Sequence, residues 1–338
     1  MSGMASLSRR SALAAGASFA ILPGRARAAE WDARQFHNQP EDSHQHRFLV
    51  DAWTAVREQT GGRLNVTVHA RNGDVPGSDP GALAMLQSGE LEFFSLMGGI
   101  LGLAVPAAEI QGLPFAFANP EQAYAAADGP LGAYIGEECA ARGIHRFQRG
   151  LLQNGFRHIC MSAKPIQTAD DLAGVRMRVP DGQMFRDLFT ALDAVPVTVN
   201  IRELYGSLRD GRVDGQENPL VVTKVNRLFE VTRYLSMTGH MWSGFNELAN
   251  LKFWQRLPAD VQDTVTRNME MQVTRQRTYT DQVNRDLESS LVQRGMVRNV
   301  ADAGSFRRKL GSGFYAHWKG VVGQRAWALL EDQVGRVG

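Results

Sequence analysis

The sequence predicts an α/β protein of two domains. Its 338 residues are enough for two domains with their own hydrophobic cores, and 43% hydrophobic with 21% charged residues is ordinary for a globular chain. Strand-like and helix-like patterns alternate in two blocks, which is typical of α/β domains. Residues 259–294 contain neither proline nor glycine and have a helical composition. We therefore expect one long helix there, roughly 55 Å in length if it is continuous.

The first block predicts strands that alternate with helices. Its strand-like runs are residues 31–36, 65–69 and 91–97. Its helices are expected from a cap at Asp42 or Ser43 to residues 61–62, over 81–87, and after Asn119 and Gly129. Residues 98–106 are rich in glycine and are expected to line a cleft. They do not form the G-x-G-x-x-G pattern, so the sequence shows no dinucleotide loop.

The stretch from residue 155 to 219 carries most of the functional signal. Residues 157–161 form a strand-like run that begins with Arg157, and Thr168 opens a capping box. Apolar residues alternate through 175–179 and Pro180 ends the run, which places Arg178 at the carboxyl end of a strand. Ligands of open α/β sheets bind at such ends. Residues 214–219 are polar and contain Gly and Pro, so we expect Asn218 on a loop.

Several short sequence motifs occur in this stretch in a fixed order. They are G-F-R at 155–157, D-L-A-G-V-R-M-R-V-P at 171–180, E-L-Y at 203–205 and D-G-Q-E-N-P at 214–219. Residues 60–66, 85–92 and 113–115 add weaker matches. The chain resembles the periplasmic substrate-binding proteins of TRAP transporters, a family usually named for C4-dicarboxylate uptake. The resemblance covers nearly everything after the first 28 residues.

The resemblance implies a two-lobe periplasmic binding protein fold with a long helix that spans both domains. The first domain would comprise residues 29–153 and about 242–257, the second 154–241, and the long and terminal helices 258–338. A small organic carboxylate would bind between the lobes and be delivered to a TRAP membrane permease. The implied protein is a monomer without catalytic activity, cofactor or metal.

The resemblance also implies which residues bind the ligand. Arg178 would pair with the ligand carboxylate, and Arg157 and Asn218 match two further family positions. A guanidinium suits this role because its fork of donors matches a carboxylate at two points. The first lobe is expected to contribute its loops at 36–43 and 95–102, and Trp242 where the chain re-enters that lobe. The first-lobe binding residues expected from these segments are Gln39, Met97, Gly98 and Trp242.

The residues expected on the first lobe predict a ligand class. Relatives that bind sialic acid carry an acidic residue where Met97 stands here. A thioether and the glycine at Gly98 offer little hydrogen bonding to hydroxyls, and Trp242 would supply an apolar wall. We therefore expect an acid with an apolar or aromatic body, or a compact keto or hydroxy acid. A long polyhydroxylated sugar acid is not expected, because its hydroxyls would be buried without partners. The alternative is that Met97 and Trp242 are core residues.

Residues 1–28 predict an export signal and hence a periplasmic protein. Arg9 and Arg10 form a twin-arginine pair, residues 12–22 are apolar, and Ala26-Arg27-Ala28 is a small-x-small cleavage site. The apolar run is too short for a stable membrane anchor. The arginine pair favours the twin-arginine route. A Sec signal that happens to contain two arginines is the alternative.

Composition and missing motifs weigh against other functions. Without residues 1–28 the chain carries 33 basic and 35 acidic residues, so nucleic acid is not an expected partner. No G-x-S-x-G, P-loop or H-E-x-x-H motif supports an enzyme, although a two-domain α/β enzyme remains an alternative. His44 and His46 are expected on a solvated helix face, and Cys139 and Cys160 as buried thiols. A binding protein of an ABC or tripartite tricarboxylate transporter is the other alternative.

Overall fold

The computed structural model describes Met1 and residues 29–338, so the predicted signal lies almost wholly outside the described residues. Within that range, one sheet of nine strands runs through the protein. Its strands are β1 (Trp31–His37), β2 (Leu64–His69), β3 (Phe93–Met97), β4 (Ile144–Met161), β5 (Arg176–Val179), β6 (Val195–Thr198), β7 (Gly215–Pro219), β8 (Tyr234–Asn250) and β9 (Val297–Val300).

Two parallel groups of strands define the two lobes. The first lobe contains β1, β2 and β3, and the second lobe contains β5, β6 and β7. The long antiparallel strands β4 and β8 lie between the groups, in the order β2-β1-β3-β8-β4-β7-β5-β6, and β9 pairs with β8. Each long strand therefore belongs to both lobes, and these two strands connect one lobe to the other.

The strand register places the carboxyl ends of both groups at the junction between the lobes. In the first lobe, β3 ends with Met97 paired to Phe245 of β8. In the second lobe, β7 ends with Pro219 paired to Arg157 of β4. Because β3 and β7 run in opposite directions, their carboxyl ends point toward each other. A ligand between the lobes would meet the favoured edge of both groups.

Helices pack against this sheet. They are α1 (His44–Gln59), α2 (Ser78–Ser88), α3 (Gly98–Leu101), α4 (Pro120–Asp128), α5 (Pro130–Ala140), α6 (Gln183–Ala191), α7 (Ile201–Arg209), α8 (Leu220–Val225), α9 (Leu251–Arg256), α10 (Ala259–Gln293), α11 (Ala303–Val322) and α12 (Gln324–Val334). Among the described residues, no helix has the length and apolar character needed to cross a membrane.

The predicted long helix is confirmed as α10, which is 35 residues long. It packs against α1 of the first lobe, against β4, and against α8 of the second lobe. At its centre, the Gln276 side chain accepts from Gln153 N at 2.8 Å and donates to Gln153 O at 2.7 Å. These bonds fix α10 to β4 where that strand passes from one lobe to the other.

Several local expectations were wrong in extent or type. The run at 157–161 is the end of an 18-residue strand, and β9 was not predicted. Asn218 lies on strand β7 and not on a loop, because residues 215–219 pair with β4, and residues 215 and 216 also pair with β5. His44 does not lie on a solvated face: it is buried, and its ring packs against Tyr279. Cys139 and Cys160 are buried free thiols, as expected.

A buried carboxyl in the core makes stability depend on pH. Glu247 on β8 is 1% exposed, and it accepts from Ser95 Oγ at 2.5 Å and Gln35 Nε2 at 3.3 Å. Burial raises the pKa of Glu247 to about 8, against the opposing effect of these hydrogen bonds. Between its unfolded pKa of about 4.3 and this value, only the unfolded chain ionises, so stability falls as pH rises.

Glu247→Gln should therefore remove a pH-dependent loss of stability. Wild-type free energy of unfolding should fall by up to about 1.4 kcal/mol per pH unit across that window relative to the variant. Urea unfolding of both proteins from pH 4 to pH 9 measures the difference. Parallel stability curves would show that Glu247 does not hold its proton in the folded chain.

Candidate functional site

A small cavity lies between the lobes, where the carboxyl ends of the two strand groups meet. The space open to water in it is about 30 Å³. Its walls come from both lobes, from β4 and from β8, and consist of Asn38, Gln39, Asp79, Met97, Ile100, Asn154, Arg157, Arg178, Pro180, Ile201, Asn218, Val222 and Phe245. Five of the seven residues expected to bind ligand, those at 39, 97, 157, 178 and 218, therefore line one cavity.

Arg178 lies at the carboxyl end of β5, as its position before Pro180 predicted. Its side chain is 2% exposed and its Nε donates to Val199 O at 2.8 Å. Within residues 29–338, its guanidinium has no carboxylate within ion-pair distance. Burial lowers the pKa of Arg178 to about 10, so it remains charged at neutral pH. A buried cation without an ion-pair partner is a binding site for an anion.

Arg157 is as deeply buried, but its charge is already matched. Its Nε donates to Glu217 Oε2 at 2.5 Å and its Nη2 to Glu217 Oε1 at 2.7 Å, which is a two-point ion pair. Nη2 also reaches Glu217 O and Asn218 Oδ1, and the guanidinium lies 5.0 Å from the Phe185 ring centroid. Arg157 is thus held rigidly by the strand that carries Asn218.

The contacts of Glu217, the partner of Arg157, are those of a structural residue. Glu217 is fully buried, and His240 Nε2 lies 3.3 Å from its Oε2. Burial alone would raise the pKa of Glu217, but the Arg157 charge and the His240 contact hold it below its usual value. Burial lowers the pKa of His240. The Arg157–Glu217 pair is therefore ionised, and it contributes no net charge to the cavity.

The first-lobe wall is a chain of polar side chains. Gln39 Nε2 donates to Asn38 Oδ1 at 2.8 Å, and Asn38 Nδ2 donates to Asp79 Oδ2 at 2.9 Å. Asn72 Nδ2 donates to Asp79 Oδ1 at 2.6 Å. Asn72 has a φ of 55° in a left-handed turn, a conformation that asparagine tolerates better than most residues. The turn and the Asp79 carboxylate therefore hold each other in place.

The remaining expected residues differ in their placement. Met97 lines the cavity, and its Sδ lies 3.4 Å from Arg157 Nη1. Gly98 lies behind this wall, where a Cβ would come within 2.2 Å of Gln111 Oε1, so glycine is required for packing.

Trp242 lies on the opposite face of the sheet. Side chains alternate along β8, and the neighbouring Ser243 lies 3.4 Å from Arg157 Nη1 on the cavity side. Trp242 is 2% exposed and packs edge-on against Phe117 and Tyr124. The structure does not bring Trp242 to the cavity. Trp242 is surrounded as a core residue is, which was the alternative given for it from the sequence.

Sequence reasoning did not name Asn38, Asp79 or Asn154 individually as cavity residues, although Asn38 lies in the 36–43 loop that was expected to contribute. For Asn38 a signal was available, because it directly follows β1 at the carboxyl edge where ligands bind. Asp79 gave no such signal, since it lies in the first turn of α2 and not at the end of a strand. Its position follows only from the way the left-handed turn folds back on the sheet.

Contacts across the cleft show that the lobes are close together. Arg202 of α7 forms an ion pair with Asp74 of the left-handed turn at 2.6 Å. Met184 N, at the start of α6, donates to Glu109 Oε2 of the first lobe at 2.9 Å. A larger cavity, of about 430 Å³, lies between α10 and β4 and includes Glu121, Asp281 and Glu288. Its excess of carboxylates makes it a poor site for an acid.

The fold and the site define a class, a two-lobe binding protein whose lobes meet around a buried cation. The family model described as bacterial extracellular solute-binding protein, family 7, matches residues 36–310. The chain belongs to this family, and it is a TRAP-type receptor that acts outside the cytoplasm. The resemblance inferred from the sequence is thereby confirmed, and the family consists of binding proteins that work with membrane permeases.

Similar proteins include one uncharacterized relative and two solved structures, and the solved structures support the same assignment. Protein y4mM of Sinorhizobium fredii is 34% identical over 207 residues, which is 61% of this chain and 38% of that protein. The chain therefore spans about two fifths of that relative. A TRAP periplasmic solute-binding protein from a Sulfitobacter species, with bound β-D-galacturonate, has a TM-score of 0.84 at 25% identity and covers 91% of this chain and 100% of its own. One from a Polaromonas species, bound to D-erythronate, has a TM-score of 0.82 at 25% identity, covering 88% and 98%.

Proposed function

We propose that this receptor binds a small organic acid in the cavity between its lobes, with the acid's carboxylate on the Arg178 guanidinium. The observation that carries the proposal is the burial of Arg178 without an ion-pair partner at the carboxyl end of β5. A bound carboxylate would satisfy this charge. The galacturonate and erythronate of the two similar proteins are both carboxylates, which supports an acid as ligand.

The other cavity residues would orient the ligand. Asn218 and Gln39 offer amide groups from opposite lobes, and Met97 contributes an apolar surface. Arg157 would act mainly by positioning Asn218, because Glu217 takes two of its three guanidinium nitrogens. Gly98 would keep the wall behind Met97 in place. In this scheme none of the residues does chemistry on the ligand, and no cofactor or metal takes part.

The remaining parts of the proposal concern the whole molecule. The lobes would divide as residues 29–153 with about 242–257, and 154–241, with 258–338 forming the spanning and terminal helices. Gly155 supports a division near residue 154, because its φ of 118° and a register shift in β4 mark a bend in the strand. The receptor would be a monomer, exported by the twin-arginine route, that delivers its acid to a TRAP permease.

A thermal-shift screen of the mature chain against a library of carboxylates tests the proposal directly. A ligand that binds only the folded state raises the unfolding midpoint, by about 2.7 kcal/mol of added stability at a hundredfold excess over its Kd. Carboxylates should raise the midpoint, whereas the corresponding amides and alcohols should not. A library in which no carboxylate shifts the midpoint would contradict the proposed function.

Ligand binding should also favour the closed arrangement of the lobes. The carboxylate would bridge second-lobe groups and the first-lobe loops, so the closed state gains contacts that an open state lacks. Small-angle X-ray scattering should show a smaller radius of gyration at saturating ligand than without it. An unchanged radius would exclude closure on ligand binding.

The Arg202–Asp74 ion pair offers a milder test of the same closure. The pair joins the lobes directly, but the Asp74 side chain is 80% exposed, so its contribution is small. Asp74→Asn should weaken ligand binding by less than about fivefold while leaving the ligand-bound radius unchanged. A large loss of affinity would mean that the turn contributes more than this surface contact.

A further inference from the structure

The charges around the cavity are few and can be assigned one by one. Arg157 and Glu217 neutralise each other in a two-point ion pair. Arg178 remains as one buried positive charge, and Asp79 is the remaining acidic group among the lining residues. With Asp79 ionised, the walls carry one charge of each sign. Arg178 is on the second lobe and Asp79 is on the first, so the two signs lie on opposite walls.

Asp79 is held in the cavity wall and has no cation in contact with it. Its residue is 6% exposed, and its two carboxyl oxygens accept from Asn38 and Asn72. Within residues 29–338, no lysine, arginine or histidine nitrogen lies within ion-pair distance of it. Burial raises the pKa of Asp79, and the neighbouring Asp181 acts in the same direction, whereas Arg178 and the two asparagines lower it. The two asparagine donors favour the ionised carboxylate, and in that form Asp79 accepts from hydrogen-bond donors and disfavours a second anion.

We propose that Asp79 determines specificity: it restricts the ligand to acids with a single carboxylate that carry hydroxyl groups toward the first lobe. This inference rests on the proposed function and names its substrate class. A hydroxylated monocarboxylate places its anion on Arg178 and donates to Asp79 from its other end. A dicarboxylate places its second anion against Asp79, where no other cation among the lining residues can offset the repulsion.

The first-lobe wall fits hydroxyl groups better than an apolar body. Asn38 and Gln39 each use one side-chain N–H within the wall, which leaves a second N–H on each amide for a ligand oxygen. Asp79 retains acceptor capacity beside the two bonds that it accepts. An apolar ligand would leave these buried groups unpaired. Of the two ligand classes predicted from the sequence, the structure therefore favours the compact hydroxy acid.

Three acids of four carbons test the inference on the wild-type chain. D-erythronate has one carboxylate and three hydroxyls, butyrate has one carboxylate and no hydroxyl, and succinate has two carboxylates. Calorimetry at pH 7.5 should give a Kd for D-erythronate at least tenfold lower than for either of the others. Succinate or butyrate binding as tightly as D-erythronate would overturn the role of Asp79.

The variant Asp79→Asn should change the selectivity and not merely the affinity. Removing the negative charge should shift the ratio of succinate to D-erythronate affinity at least fivefold toward succinate. Asp51→Asn, on the exposed face of α1, is the matched control and should leave the ratio unchanged. A ratio that is unchanged in Asp79→Asn, with D-erythronate still bound, would overturn the inference.

The two levels of the proposal fail in different ways. Loss of D-erythronate selectivity, with carboxylates still bound through Arg178, contradicts only the role of Asp79. Absence of binding by every carboxylate contradicts the proposed function itself. Because the wild-type series needs no substitution at Asp79, the inference stays testable even if Asp79→Asn disturbs the left-handed turn.

Discussion

Arg178→Ala should abolish most of the affinity for the ligand while leaving the folded receptor intact. The ligand carboxylate would then be desolvated without its partner, which costs about 2–5 kcal/mol, or roughly thirtyfold or more in Kd. Arg178→Lys should restore only part of this loss, because an ammonium cannot form the two-point contact of a guanidinium. Calorimetry with the tightest carboxylate from the thermal-shift screen measures both values.

The neighbouring Arg176 provides a matched control for this experiment. It lies two residues earlier on the same strand, but its side chain is 47% exposed and pairs with Asp214. Arg176→Ala should leave ligand affinity within about twofold of the wild type, since exposed ion pairs contribute little. Near-wild-type affinity in Arg178→Ala would remove Arg178 from the site.

The second-lobe part of the site could be predicted because its signals are local. Alternation of apolar residues over 175–179 and the proline at 180 place Arg178 at a strand end without any tertiary information. The carboxyl-end rule then identifies that position as a ligand site. The same local reasoning failed for Asn218. Its polar segment becomes a strand because β4 pairs with all of it and β5 pairs with its first two residues.

The first-lobe part of the site depends on contacts that no local pattern reveals. Asp79 reaches the cavity through a left-handed turn that Asn72 stabilises; Asn72-Gly73 indicates a turn, but not which side chains it brings to the cavity. Trp242 was expected near the cleft because the chain re-enters the first lobe there. Which face of β8 it occupies is set by the strand register, and a shift of one residue would reverse it. The pairing of Arg157 with Glu217 likewise follows from the register of β4 against β7.

Arg157→Ala should cause the largest loss of stability of any substitution considered. It leaves Glu217 buried and ionised without its partner, and breaking a buried ion pair in this way costs about 3–5 kcal/mol. Glu217→Leu should cost a similar amount, because it leaves the Arg157 charge unpaired. The double variant Arg157→Met with Glu217→Leu should recover most of the loss, since it removes both charges. The free energy of unfolding from urea titrations measures each effect.

The exposed Arg176–Asp214 pair separates the effect of burial from that of charge. Both pairs join an arginine to a carboxylate in the second lobe, and both are 2.5 Å long at their closest contact. The pairs differ in burial, because the Arg176 and Asp214 side chains are 47% and 37% exposed. Arg176→Ala should therefore have little effect on stability, because solvent screens an exposed ion pair. Equal losses for the two arginines would show that Glu217 does not depend on Arg157. A double variant as unstable as Arg157→Ala would mean that packing, and not the unpaired charge, causes the loss.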